Sequence, residues 1–390
     1  MSSINRRNFL RTTGITALPT LIPMLPAFAG NSNQQQSAPA NPVIKFFGDA
    51  EMLEPGDYLT ELQKVQAATA IVKDRYGAGG VVEALEKKFA MITGKQNAVF
   101  MPSGTMANQL ALAVLSGENP KVFVQDTSHV YRDEADAAQS VFQKRLMPLA
   151  KGETFFTAMQ LQDSIEGLQS EEVFKSGIGA VSIENPVRRT DGRMVPLEEI
   201  QKITAYCRSK NIKLHLDGAR IYLAAAWSGI SVKEYASYFD TVYISLYKYL
   251  GASAGAILCG DAVVIEKMPH LIKVHGGSMY GNWTNAAMAL YRLEGIEVRL
   301  LNTVQRAKEI FTAINKLQGI TITALEGGTN IYNLDLAKGI NGKAMQEKLS
   351  KEFNIRIARP NEKNHTLLTV NETILYHNSD YVINAFKRSI

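Results

Sequence analysis

From residue 97 onward, short apolar runs alternate with stretches in which apolar side chains recur every three or four positions. Residues 97–101 (NAVFM), 121–125 (KVFVQ), 178–184 (IGAVSIE), 212–217 (IKLHLD), 241–246 (TVYISL) and 254–260 (AGAILCG) read as strands. Between them, 105–115 (TMANQLALAVL) and 197–210 (LEEIQKITAYCRSK) carry helical spacing. Strands that are apolar along their whole length, separated by amphipathic helices, predict an α/β fold with a mostly parallel sheet covered on both faces. This large domain is expected over 44–290. The last hundred residues change character: VQRAKEIFTAINKL, TNIYNLDL, KAMQEKLSKEF and SDYVINAFKRSI predict a smaller α+β domain over 291–390. Residues 285–311 read as one long helix bridging the two. No internal repeat interrupts this plan.

The first 29 residues follow another pattern. Arg6, Arg7 and Arg11 precede an uncharged stretch that ends in Ala27-Phe28-Ala29. A basic start, an apolar middle and a small-x-small finish make a secretory signal, and Arg6-Arg7 followed by Phe9 and Leu10 resembles the twin-arginine type. The competing reading is a single membrane anchor, which Pro19, Pro23 and Pro26 oppose in a stretch barely long enough to span a bilayer. Export to the periplasm is therefore expected, with no membrane contact of the mature form. Residues 30–43, rich in Asn, Gln, Ser and Pro, read as a flexible linker.

Composition changes this picture little. In 390 residues with 46% apolar side chains there is enough to bury a full core. The net charge of +5 falls to +2 without the first 29 residues, so it makes no electrostatic case for nucleic acid. Six histidines show no metal-ligand spacing, and no metal is expected. Cys207 and Cys259, each inside an apolar pattern, read as buried free thiols.

Candidate chemistry stands where strands end. Asp217 closes the strand 212–217 and is followed by Gly218, Ala219 and Arg220; Lys248 follows the strand 241–246. In open α/β sheets, ligands bind beyond the carboxyl ends of strands. Asp217 and Lys248 could share one crevice, or form a structural ion pair. Ser103, Gly104 and Thr105 lie between a strand and a helix, where free backbone N–H groups favour a phosphate, although an ordinary N-cap looks the same. An amine, a carboxylate and an anion cradle at strand ends together describe a site for pyridoxal 5'-phosphate (PLP). Burial of Lys248 among small and apolar neighbours would lower its pKa and favour imine formation.

The stretches YGAGGVVEALEKKFAMITGKQNAVFMPSGTMANQ, HVYRDEADAA, IENP, HLDGAR and SLYKYLGASAGAILCG make the chain resemble the low-specificity threonine aldolases and aromatic amino-acid β-eliminating lyases, which are PLP-dependent enzymes of fold type I. The resemblance runs from about Arg75 to Gly281. It implies Lys248 as the Schiff-base lysine, Asp217 as partner of the pyridine nitrogen, Ser103, Gly104 and Thr105 at the phosphate, and Arg220 at the substrate carboxylate. His129 would stack on the cofactor and serve as candidate base. The implied reaction is cleavage of the Cα–Cβ bond of a β-hydroxy-α-amino acid to glycine and an aldehyde. β-Elimination and a catalytically silent PLP-binding protein are the alternatives. A homodimer or homotetramer is also implied.

Several positions depart from the family pattern. Val187 stands where the aldolases carry a histidine, Gly48 where they carry a serine, and Leu368 or a neighbour where an arginine grips the carboxylate. Arg356 or Arg359 is the expected replacement for that arginine. Tyr247 and Tyr249 flank the lysine in place of smaller residues, and Tyr280 replaces an arginine.

Overall fold

The computed structural model describes residues 42–390. The signal over 1–29 and nearly all of the linker over 30–43 lie outside the described residues. An arm carrying β1 (Ile44–Lys45) leads into the Pro55–Ala68 and Gly80–Thr93 helices. Then come β2 (Asn97–Met101), β3 (Lys121–Gln125), β4 (Arg145–Leu149), β5 (Ile178–Glu184), β6 (Lys213–Asp217), β7 (Thr241–Ser245) and β8 (Ala256–Gly260). These seven form one sheet in the order β2-β8-β7-β6-β5-β3-β4. β3, β7 and β8 are buried at every residue, which is why their sequences show no alternation.

Strands β3 to β7 pair in parallel, whereas β8 runs antiparallel to both β7 and β2. Six strands thus share one direction. The exception follows from chain length: only residues 246–255 separate β7 from β8, too few for the crossover that a parallel neighbour requires. All six co-directional strands end at one edge of the sheet, and the segments leaving that edge carry the candidate residues.

The expected long helix over 285–311 is two helices, Trp283–Leu293 and Ile296–Ile314. Gly295 lies between them with φ +67°, a left-handed conformation that ends the first helix and redirects the second. Beyond it, β9 (Ile320–Ala324), β10 (Ile331–Leu336) and β12 (His365–Thr369) form an antiparallel sheet in the order β12-β10-β9. β11 (Ile355–Arg356) pairs in parallel with β1. Ile44 and Phe46 join Phe311, Leu334, Leu368 and Phe386 in one buried cluster, so the arm packs into the C-terminal core. Cys207 and Cys259 are buried free thiols, pushed up to about 12 by burial. Among the described residues, no helix is long and apolar enough to cross a membrane.

Candidate active site

At the shared edge of the sheet, Ser103, Gly104, Thr105, His129, Asp217, Arg220 and Lys248 line one cavity of about 280 Å³. The structure brings all seven expected residues together. Ser103 N-caps the Gly104–Ser116 helix by accepting Met106 N–H at 3.2 Å, which leaves its hydroxyl proton free. The first turn of that helix holds no acidic residue to compete with an anion. Gly104 is obligatory there, because a Cβ on it would meet Tyr243 Oη at 2.0 Å. Gly104→Ala is expected to cost about 1–3 kcal/mol of stability by overpacking and to weaken anion binding, read from melting curves and cofactor titration.

Asp217 is held by two donors: Asn108 Nδ2 at 2.9 Å and Ala219 N–H at 3.1 Å. Asn108 Nδ2 also donates to Glu134 Oε1 at 2.7 Å, while Asn108 Oδ1 faces His215 Nε2 at 3.0 Å. Burial drives His215 down to about 4, so the ring is neutral, donating from Nε2 and accepting the Thr241 hydroxyl at Nδ1 (2.8 Å). That chain fixes the orientation of the Asn108 amide. His129, Glu134 and Asp217 bring potential metal donors within 4.8 Å of one another. Asn108 donates to one oxygen of each carboxylate, Glu134 Oε1 and Asp217 Oδ2, while Glu134 Oε2 is buried without a hydrogen-bond partner among the described residues.

His129 follows β3. Its Nδ1 lies 3.0 Å from Glu134 Oε1, and its backbone N–H donates to Glu184 Oε2 at 2.6 Å. The hydrogen bond to Glu134 raises the imidazole above its ordinary value, and burial raises Glu134. With the carboxylate accepting, the proton sits on Nδ1. Burial likewise pushes Glu184, at the end of β5, up to about 7.

Lys248 lies in the β7–β8 connection, with Nζ 5.3 Å from the centre of the Tyr247 ring. No carboxylate lies within 4.0 Å of Nζ among the described residues. Burial, reinforced by Arg220, lowers the amine to about 8. Arg220 Nε donates to Asp49 Oδ1 at 2.8 Å, and among the described residues its guanidinium makes no other hydrogen bond. Its two terminal nitrogens remain as a fork for a carboxylate. An amine of lowered pKa, a fixed carboxylate and a glycine-based helix N-terminus match the three requirements of PLP.

Sequence reasoning missed Asn108, Glu134, Glu184 and Tyr243. Glu184 closes a strand as Asp217 does, and that parallel could have pointed to it. Asn108 lies one turn beyond Gly104 on the same helix face. The expected carboxylate contacts of Arg356 and Arg359 are corrected: both are exposed and neither lines the cavity. Arg356 points outward because β11 turns its flanking Ile355 and Ile357 into the core. Val187 and Leu368 are fully buried, Tyr249 is buried against Tyr222, and exposed Tyr280 packs on Tyr76.

A family model described as beta-eliminating lyase matches residues 59–337. The low-specificity L-threonine aldolase of Candida albicans is 35% identical over 212 residues, covering 54% of this chain and 56% of that protein. That of Saccharomyces cerevisiae is 30% identical over 234 residues, 60% of each. The chain thus spans little more than half the length of these curated relatives. A solved structure from Listeria monocytogenes EGD-E, provisionally named an L-allo-threonine aldolase, is 26% identical with a TM-score of 0.73, covering 90% of this chain and 97% of that one.

Proposed function

Because the chain belongs to the beta-eliminating lyase family, we propose that it is a PLP-dependent lyase that cleaves the Cα–Cβ bond of a β-hydroxy-α-amino acid to glycine and an aldehyde. The observation that carries this reading is the convergence of Lys248, Asp217, Arg220 and the Ser103–Thr105 turn on one cavity. Lys248 Nζ would hold the cofactor, Asp217 would pair with its ring nitrogen, and the amides of Gly104 and Thr105 with the Ser103 hydroxyl would take its phosphate. Once bound, the cofactor supplies an electron sink next to the substrate's Cα. Arg220, aimed by Asp49, grips the substrate carboxylate and sets which Cα bond is oriented for cleavage. His129 Nε2 is the free ring nitrogen, since Nδ1 is committed to Glu134, and it receives the β-hydroxyl proton. As that proton leaves, the Cα–Cβ pair stays with Cα, the β-carbon departs as aldehyde, and a proton delivered to Cα completes glycine.

The test is product analysis on residues 30–390 loaded with PLP and supplied with L-threonine or L-allo-threonine. Equal amounts of glycine and acetaldehyde support the reading. Ammonia with a keto acid would mean elimination, the outcome that buried Val187, in place of a proton-handling histidine, would favour.

The lowered amine of Lys248 makes a separate prediction. Only the neutral amine attacks an aldehyde, so the rate of PLP uptake by the stripped protein should rise with pH through about 8 and level off above it, as followed by absorbance in a stopped-flow series.

We also propose that the N-terminal segment exports the protein already folded, by the twin-arginine route. Changing Arg6 and Arg7 together to lysine should move the protein from the periplasmic to the cytoplasmic fraction. A homodimer or homotetramer fits the family, and light scattering on the loaded protein measures it.

A further inference from the structure

We propose that the Tyr243 hydroxyl is an additional donor of the anion cradle, binding the phosphate of the cofactor beside the amides of Gly104 and Thr105. This rests on the PLP reading of the same cavity. Tyr243 lies on β7 and reaches toward the N-terminus of the Gly104–Ser116 helix. Its hydroxyl lies so close to Gly104 that a Cβ there would overlap it at 2.0 Å. The residue is 3% exposed, yet it lines the cavity. Its ring is packed in an apolar cluster with Met101, Met106 and Ala256, so the hydroxyl has a fixed position. Ser245, two residues along the same strand face, is the hydroxyl near enough to compete for it, but the two do not meet hydrogen-bond geometry, and Ser245 Oγ has no partner among the described residues. Tyr243 Oη is therefore free to donate into the cavity that the residue lines.

The charge distribution of the cavity points the same way. Among the described residues, Arg220 and Lys248 are the only arginine or lysine side chains lining it. Arg220 is tied to Asp49, and Lys248 Nζ is the covalent anchor. The helix end thus has no cation of its own, and a phosphate there depends on neutral donors: two amides, the Ser103 hydroxyl and the Tyr243 hydroxyl.

The experiment compares PLP with pyridoxal, which lacks the phosphate, as ligands of the full-length chain stripped of cofactor, in wild type and Tyr243→Phe. The ratio of the two dissociation constants measures what the phosphate adds. In Tyr243→Phe this ratio should fall by about tenfold, the size of one hydrogen bond to a charged group, while pyridoxal affinity stays unchanged. The melting temperature of the stripped variant should be equal to or above wild type, because the lost hydroxyl had no partner. An unchanged ratio overturns the proposal, as does an equal loss for both ligands, which would put the hydroxyl on the ring or the substrate. A lower melting temperature of the stripped variant would assign Tyr243 a structural role. If wild type binds neither ligand, the PLP reading itself falls, an outcome distinct from all of these.

Discussion

Lys248→Ala is expected to give a folded, colourless protein whose turnover drops by roughly 10⁴-fold or more, the scale of loss when a covalent group is removed. Two observations make the fold indifferent to this change. The Lys248 ammonium has no carboxylate within salt-bridge distance among the described residues, and burial already disfavours its charge. Removing a buried, unpaired cation relieves a desolvation cost, so the melting temperature of the stripped variant should match or exceed that of the stripped wild type. Turnover is measured as glycine released, and colour by the visible absorption of the loaded protein. A variant that stays coloured and active would remove Lys248 from the mechanism.

Asp217→Asn should behave differently, because here charge and hydrogen bonding are both lost. Asp217 accepts from Asn108 Nδ2 through Oδ2 and from Ala219 N–H through Oδ1. An amide in its place puts an NH₂ group against one of these donors, whichever way it is turned. A buried donor facing a donor costs about 1–3 kcal/mol, so the melting temperature should fall. Turnover should fall by about 10²–10³-fold, the range for losing one preorganised electrostatic partner of the reacting group. The two losses separate in the assay: kcat at saturating cofactor reports the missing charge, and thermal melting reports the broken contact to Asn108. A drop in stability with kcat intact would make Asp217 a structural residue.

The readable part of the site shares one property. Lys248, Asp217, Arg220 and the Ser103–Thr105 turn each follow an apolar strand, so each was marked by a break in pattern at a place where ligands bind. Asn108 and His215 lack that mark. Asn108 is a single polar residue inside a helix of apolar spacing, and His215 interrupts a buried strand. His215 becomes meaningful only through the pairing that sets it opposite Thr241 and the packing that brings Asn108 to it. Such contacts join residues 26 and 107 positions apart, which no local period encodes. β4 was missed for a local reason: Pro148 breaks its pattern, tolerable because β4 lies at the sheet's edge. The long helix over 285–311 was misread because its apolar period runs on through Gly295, whose left-handed backbone overrides it.

The arm at Ile44–Lys45 sets an order in time for how the site is assembled on the ribosome. Every residue assigned to the cofactor, from Ser103 to Lys248, is synthesised before β8. Arg220 depends on Asp49, and the arm before Asp49 is held by segments that lie more than a hundred residues beyond Lys248. β11 pairs with β1, and the Asn371 side chain donates to the carbonyls of Lys45, Phe47 and Gly48 at 2.9, 3.1 and 3.3 Å. Asp49 therefore precedes every other site residue in the chain but depends for its place on residues that follow them all. The segments assigned to the cofactor are therefore synthesised before the segments that hold the arm, and the contact that aims Arg220 waits for the later ones.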